Sequence, residues 1–124
     1  MVMETTHDGL AHPYSAATLA GETAYISGAL SVDRAGEPVS GARPALDAAL
    51  DRLTERLATV NLRLTDVVKL TYFVTDISIR DEANVQLVDH FDAPRPARSF
   101  VAVSALPYGA SVEIEAVAYR EVRS

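Results

Sequence analysis

The hydrophobic positions of the chain follow two periods, and each change of period marks a new element. Residues 23–32 and 67–75 are mostly apolar and rich in β-branched and aromatic residues, which predicts two strands. Between them, apolar residues recur every three or four positions and charged residues fill the opposite face, which predicts an amphipathic helix. Pro44 suits its first turn and Asn61 suits its C-terminal stop. The apolar stripe of this helix consists of Leu46, Ala49, Leu50, Leu53, Leu57 and Val60.

The second half of the chain predicts one more helix and two more strands. The spacing Ser78-x-x-Asp81 resembles a capping box and opens a helix that runs to about Phe91. Pro94 and Pro96 then break the chain. Strands are predicted at residues 97–106 and 111–120, and the turn at residues 107–110 is expected to join them as a hairpin. The inward stripe of the second helix is expected at Ala83, Leu87, Val88 and Phe91.

The resulting order is β, α, β, α, β, β, with room for a short extra strand before Tyr14. This is an α+β layout in which both helices cover one face of a mixed sheet. We expect one domain over residues 1–124, with its core at about 13–120. The last strands carry apolar or small residues on both faces. Two helices cover only one of these faces, so the other predicts a partner, and a homo-oligomer is the simplest one.

Composition narrows the class of protein. The 124 residues are 48% hydrophobic, as in a globular domain, and no apolar run approaches the roughly 18 residues of a membrane span. Cysteine is absent, which excludes a disulfide framework and a thiolate nucleophile. The net charge of −6 argues against nucleic acid and anionic membranes as partners. His7, His12 and His90 lack metal-like spacing. The N-terminal residues do not resemble a signal peptide, so a cytoplasmic protein is expected.

Two polar residues stand where apolar ones are expected. Asn84 falls on the inward stripe of the second helix, so it is either a hydrogen-bonded structural amide or a site or interface residue. Arg98 begins an apolar strand, and its planar fork matches a carboxylate, although an ion pair within the fold also explains it. Lys69, within a strand pattern, is expected to be an edge or ion-pair residue.

Glu113 and Glu115 alternate with apolar residues and share one face of the last strand. Such a pair suits acid–base chemistry, but it is also typical of a solvated strand face. In a plain hairpin, Arg98 would lie about 20 Å from Glu113 along the strand. The two side chains would then share a small site only across a subunit interface.

Five segments together resemble one family: PYS at 13–15, ISG at 26–28, DVVKLTYFVTD at 66–76, PARSFVAVSALP at 96–107 and VEIEAVAYR at 112–120. The chain is similar over about residues 13–120 to the reactive-intermediate deaminases, the RidA/YjgF or L-PSP family. The resemblance implies a chorismate-mutase-like fold and a homotrimer with sites in the clefts between subunits. It also implies hydrolysis of 2-imino or enamine acids, such as 2-iminopropanoate and 2-iminobutanoate, to 2-oxo acids and ammonia. No cofactor or metal is implied.

The resemblance also implies roles for individual residues. Arg98 matches the arginine that clamps the substrate carboxylate, and Glu113 matches the glutamate that orients or activates water. Tyr14 is implied as a second catalytic residue, donating a hydrogen bond to substrate or water. Ser27 and Asn84 match residues of the substrate pocket.

Three residues depart from the family pattern. Phe100 replaces a small residue such as cysteine or threonine, and on the same strand face as Arg98 it is expected to narrow the substrate pocket. Ala29 replaces a glutamine that often follows the SG, and His12 replaces the glycine that usually precedes PY. Since Arg98 and Glu113 match the family pattern, an active deaminase with an altered substrate range is expected. A pathway-specific relative or a non-catalytic module that binds small carboxylates is the alternative. The family's older names suggest a ribonuclease or translation inhibitor, which the acidic charge argues against.

Overall fold

The computed structural model describes residues 12–121 as one five-stranded sheet with two helices packed on one face. The order of strands across the sheet is β1-β2-β5-β3-β4, and only β3 and β4 pair in parallel. The predicted α+β layout with both helices on one face of a mixed sheet is therefore confirmed. No helix in this part of the chain is long and apolar enough to cross a membrane. The elements are β1 (Ala17–Ala20), β2 (Thr23–Leu30), α1 (Ala42–Ala58), β3 (Val67–Val74), α2 (Arg80–His90), β4 (Ala97–Ala102) and β5 (Val112–Tyr119).

Helix α1 provides most of the helical side of the core. Its predicted stripe is buried from Leu46 to Leu57, and Val60 packs against the same cluster. The backbone of Asn61 adopts a positive φ of 60°, and the N–H of Leu62 bonds back to the Leu57 carbonyl at 3.0 Å. An asparagine tolerates this left-handed conformation better than most residues, so the predicted stop signal acts as expected.

Helix α2 departs from its prediction in two respects. The Ser78 capping box is wrong, because Ser78 lies in a 3₁₀ turn before the helix, where the Asp76 carboxylate accepts from its N–H at 2.9 Å. Val88 is also wrong as an inward residue, since it is 61% exposed, whereas Gln86 is fully buried. The other inward positions are confirmed: Ala83 and Phe91 are buried, and Leu87 packs against the core.

The predicted hairpin between the last two strands is wrong. Strand β4 pairs in parallel with β3 at the edge of the sheet, while β5 lies between β2 and β3. The reason is the crossover through α2, which returns the chain parallel to β3 and leaves the centre of the sheet for β5. A central place suits β5, whose alternate residues from Val112 to Ala118 are all buried under the helices.

Two smaller predictions are settled by the strand pairings. The short extra strand is β1, which follows Tyr14 instead of preceding it; the residues before 12 lie outside the described part. Lys69 is not an edge residue, because β3 has neighbours on both sides. Its ammonium donates to the Ser99 hydroxyl at 3.2 Å instead of forming an ion pair.

The face of the sheet opposite the helices has no cover within the described residues. Tyr25 and Tyr119 on this face are 53% and 49% exposed, and Val101, on the same face at the β4 edge of the sheet, is also exposed. The uncovered, partly apolar face expected from the sequence is therefore present.

Candidate active site

Arg98 lies on the helix-covered side of the sheet, at its outer edge. The parallel register aligns Arg98 with Leu70 and Phe100 with Tyr72, so all four side chains share one face. The guanidinium carbon lies 5.4 Å from the Tyr72 ring centroid and 5.0 Å from that of Phe100. The two ring centroids are themselves 5.7 Å apart, so Arg98 lies against a pair of adjacent rings, and the prediction that Phe100 shares its strand face is confirmed.

Asn84 completes this cluster from α2. Its side-chain oxygen accepts from Nη2 of Arg98 at 2.7 Å. The other terminal nitrogen, Nη1, is buried and has no hydrogen-bond partner among the described residues. Desolvation lowers the pKa of Arg98, and the nearby charge of Arg80 acts in the same direction. The guanidinium nevertheless stays charged at neutral pH, so its buried donor favours an anionic acceptor.

Glu113 lies on the open face of the sheet. It aligns with Phe73 on β3 and with Leu30 on β2, and it is half-buried. Burial raises the pKa of Glu113, and the like charge of Glu115 raises it further, while the positive charge of Arg56 acts in the opposite direction. A carboxyl whose pKa is displaced toward neutrality suits proton transfer better than an ordinary surface glutamate.

A bulge in β2 makes room for the Glu113 carboxylate. The register shifts between Ile26 and Ala29, which places Ser27 and Gly28 in the irregular stretch. A Cβ on Gly28 would lie 2.5 Å from Oε2 of Glu113, closer than real Cβ contacts come. A larger residue at Gly28 would therefore displace the carboxylate from its present position, which is a physical reason for the glycine of the ISG segment.

Tyr14 reaches the same region through the backbone next to it. The Ser27 hydroxyl donates to the Ser15 carbonyl at 2.7 Å, and the Ser27 N–H bonds to the Ala16 carbonyl at 2.9 Å. Tyr14 itself is half-exposed and stacks on His12, with ring centroids 5.2 Å apart. Of the three departures from the family pattern, His12 therefore touches the site region. By contrast, Ala29 is fully buried against the helices and does not face Glu113.

The predicted residues thus fall into two groups. The arginine cluster consists of Arg98, Asn84, Phe100 and the neighbouring Tyr72. The glutamate cluster consists of Glu113, Gly28 in contact with it, Ser27 next to Gly28, and Tyr14 next to the Ser15 carbonyl that Ser27 binds. Arg98 aligns through Leu70 with Ala116, three residues along β5 from Glu113. Three residues and two strand spacings put the two Cα atoms roughly 14 Å apart, and the side chains leave opposite faces of the sheet. The hairpin register was wrong, but one chain alone does not bring Arg98 and Glu113 into a small pocket.

The sequence does not single out Tyr72 or Gln86, although both support the arginine cluster. Tyr72 has one signal, its position within an apolar strand pattern. Gln86 has none, because the pattern of α2 predicts Val88 as the inward residue instead. Neither cluster offers a metal site: within residues 12–121, no group of three or more His, Asp or Glu side chains lies close enough to hold a metal ion. A cleft of about 290 Å³ elsewhere contains none of the predicted residues; its lining is Asn61, Leu62, Arg63, Asp66, Arg120 and Glu121.

Comparison with known proteins gives consistent matches over most of the chain. The family described as Endoribonuclease L-PSP matches residues 6–120. The human 2-iminobutanoate/2-iminopropanoate deaminase is 38% identical over 112 residues, which cover 89% of this chain and 82% of that protein. A RutC family protein of Pyrococcus horikoshii is 34% identical over 111 residues, 88% of each chain. The crystal structure of RidA from a Psychrobacter species superposes with a TM-score of 0.80 at 33% identity, covering 94% of each chain.

Proposed function

The chain belongs to the L-PSP family, also called RidA/YjgF, and from this we propose that it hydrolyses 2-imino acids such as 2-iminobutanoate and 2-iminopropanoate. The relatives named as deaminases of these two compounds, at 37–40% identity, support this substrate class. The products are the 2-oxo acid and ammonia.

The observation that carries the proposal is the free donor of Arg98. Nη2 is already bonded to Asn84, whereas Nη1 is buried without an acceptor among the described residues. A buried, charged donor without a partner is costly, and an incoming carboxylate satisfies it. The two adjacent rings keep the guanidinium in place before the substrate arrives. Arg98 is therefore the carboxylate anchor in our proposal, and Phe100 limits the room beside it.

Glu113 acts as the base in the same proposal. The protonated imine carbon is already electrophilic, so the reaction needs mainly a positioned water and a proton acceptor. Water adds to C2 as its proton passes to Glu113, and the C=N electron pair moves to nitrogen. Glu113 then returns the proton to this amine nitrogen. The C–N bond breaks and ammonia leaves while the hydroxyl passes its proton to the again ionised Glu113 as C=O forms. Ammonia then takes this proton up as ammonium, which returns Glu113 to its starting state. Tyr14 and Ser27 line the water side.

Because the two clusters leave opposite faces of one chain, we assign each site to two subunits of a homotrimer. The arginine cluster of one subunit faces the glutamate cluster of its neighbour. The uncovered face of the sheet, with Tyr25 and Tyr119, supplies apolar surface for this contact. Association through a closed ring gives every subunit one complete site.

Hydrolysis of 2-iminobutanoate, generated in situ by a threonine dehydratase, tests the proposal, with semicarbazide trapping the residual imine. We expect the wild type to accelerate loss of the imine. Arg98→Ala should lose at least about 100-fold in kcat/KM, because a charged hydrogen-bonding partner of the substrate is gone. Arg34→Ala, which removes an exposed arginine outside both clusters, is the matched control. If the wild type binds 2-oxobutanoate through Arg98 but does not accelerate imine loss, the chain is a carboxylate-binding module instead.

A further inference from the structure

A buried chain of hydrogen bonds begins at the ring that lies against Arg98. The Tyr72 hydroxyl donates to Oε1 of Gln86 at 2.8 Å. Nε2 of Gln86 donates to Oδ1 of Asp47 at 2.9 Å, and Nε of Arg43 donates to the same oxygen at 2.9 Å. Tyr72 and Gln86 are both fully buried. These contacts join β3, α2 and α1 in one continuous polar chain.

The direction of each hydrogen bond in this chain is fixed by the charge states of its ends. Burial raises the pKa of Tyr72 to about 12, so the hydroxyl keeps its proton and remains a donor. At the other end, desolvation raises the pKa of Asp47, but the hydrogen bonds from Arg43 and Gln86 outweigh it and the pKa is lowered. Asp47 is therefore an ionised acceptor. Between a fixed donor and a fixed acceptor, the Gln86 amide has one favourable orientation.

Helix α2 has few apolar contacts to set its position. Ala83 and Gln86 are its only fully buried residues, and Val85 and Val88 face solvent. A second polar contact, from Nη2 of Arg43 to Asp89 at 2.9 Å, also ties α2 to α1. Polar contacts therefore contribute much to holding α2 in place on the sheet, whereas most helices are held in place by apolar packing.

The position of α2 in turn determines the position of Arg98. Asn84 lies two residues before Gln86 on the same helix, and it holds Nη2 of Arg98. Any shift of α2 relative to β3 moves this acceptor and tilts the planar guanidinium, which directs Nη1 away from its present orientation. A bidentate grip on a carboxylate is sensitive to such a tilt.

We propose that Tyr72 and Gln86 are positioning residues for Arg98, which fix α2 against β3 and so direct Nη1 toward the substrate carboxylate. The part of this inference that concerns substrate rests on the proposed function, while the orientation of Arg98 has a readout of its own.

Three variants test the inference. Tyr72→Phe keeps the ring under Arg98 and removes only the hydroxyl. We expect it to raise the KM for 2-iminobutanoate about tenfold with little change in kcat, because ground-state and transition-state binding of the carboxylate are weakened together. The Nε–Hε NMR resonance of Arg98, assigned by its absence in Arg98→Lys, should shift or broaden. Gln86→Leu should act in the same way.

The double variant Tyr72→Phe/Gln86→Leu separates positioning from stability. In the double variant neither position 72 nor position 86 carries a polar group, so no buried donor or acceptor lacks its partner there. Much of the stability lost in Tyr72→Phe should therefore return. The KM should nevertheless stay about tenfold raised, since the link between β3 and α2 is still absent. Leu57→Ala, which opens a cavity in the last turn of α1, is the control: it should lower the melting temperature without moving KM or the Arg98 resonance.

The outcomes are distinct. If Tyr72→Phe behaves like Leu57→Ala, with lower stability but an unchanged KM and Arg98 resonance, the chain is merely structural and the inference is wrong. If the double variant regains both stability and KM, positioning is also refuted. If the wild type hydrolyses no imine but the Arg98 resonance still moves in Tyr72→Phe, the positioning role stands and the proposed substrate is wrong.

Discussion

Mixing two inactive variants tests whether each site is shared between subunits. Arg98→Ala removes the carboxylate anchor and Glu113→Gln removes the base, so each homo-oligomer should retain about 1% of wild-type activity or less. In the proposed ring, a site needs Arg98 from one subunit and Glu113 from the next. A mixed oligomer then contains some interfaces at which both intact residues meet.

The expected recovery follows from counting these interfaces. In a random 1:1 mixture, an interface has an intact Arg98 with a probability of one half, and an intact Glu113 on the facing subunit with the same probability. About one quarter of all sites should therefore be complete, whatever the number of subunits in the ring. No site is restored within a chain, because every chain carries one of the two substitutions and the side chains of residues 98 and 113 leave opposite faces of the sheet.

The assay is imine hydrolysis after the two variants are unfolded together and refolded as a 1:1 mixture. Wild type refolded alone sets the full scale, and each variant refolded alone sets the background. Recovery near one quarter of the wild-type rate supports the shared site. A mixture that stays at the background, although light scattering shows that mixed oligomers have formed, would refute the shared site and the placement of the two clusters in it.

Three other changes follow from the same geometry. Since burial raises the pKa of Glu113, the acid limb of the pH profile of kcat/KM should lie above the ordinary glutamate pKa near 4.5. Glu113→Gln should abolish this limb, and an unchanged limb would exclude Glu113 as the base. The same variant should raise the free energy of unfolding at pH 7, and this gain should disappear as the pH falls and Glu113 of the wild type becomes protonated. Gly28→Ala should push the carboxylate aside and lower kcat at least about tenfold while changing stability by less than about 1 kcal/mol, as kinetics and thermal melts can show. Arg80→Gln should lower kcat/KM about threefold at low salt, because the positive charge of Arg80 acts at Arg98 and adds to the attraction for an anionic substrate. The effect should be much smaller at 0.5 M salt, and Arg34→Gln should have no effect.

Local patterns predict the elements of this fold well where one period dominates. Helix α1 has an uninterrupted apolar stripe and a left-handed stop at Asn61, so its burial follows from sequence spacing alone. Helix α2 has too few apolar residues for its buried face to be assigned in this way. Its pattern predicts Val88 as an inward residue, whereas the structure exposes Val88 and buries Gln86. A buried amide is recognised only from its partners, Tyr72 and Asp47, which lie on other elements.

Strand pairing is non-local, and this explains the wrong hairpin. Residues 107–110 contain good turn residues, which favour a hairpin locally, but β5 gains more by entering the sheet between β2 and β3. Its Val112 and Ile114 are then covered by helices, which an edge position beside β4 would not provide. The spacing of residues within one strand does not indicate which of these two positions, beside β4 or between β2 and β3, is more stable.

Polar residues at positions where the pattern predicts apolar ones indicate the candidate site best. Asn84 and Arg98, each unexpected on its own element, prove to be bonded to one another at 2.7 Å. The alternation on the last strand leaves Glu113 and Glu115 equivalent, whereas the structure distinguishes Glu113 by its partial burial and its contact with Gly28. That contact joins two strands through a bulge, so it becomes visible only when the register is known.

Because the proposed anchor and the proposed base lie on opposite faces of one sheet, the proposed mechanism also couples catalysis to assembly. In a single chain Glu113 is only half-buried, and desolvation is already the main reason that its pKa is raised. A neighbouring subunit that covers the open face would remove more water from this carboxyl and strengthen every electrostatic interaction within the site. Association would thus bring in the missing Arg98 and exclude water from Glu113 in one step. When the protein is diluted below the concentration at which the ring dissociates, the activity per subunit should therefore be abolished. This loss should be larger than a decrease in substrate affinity alone would cause.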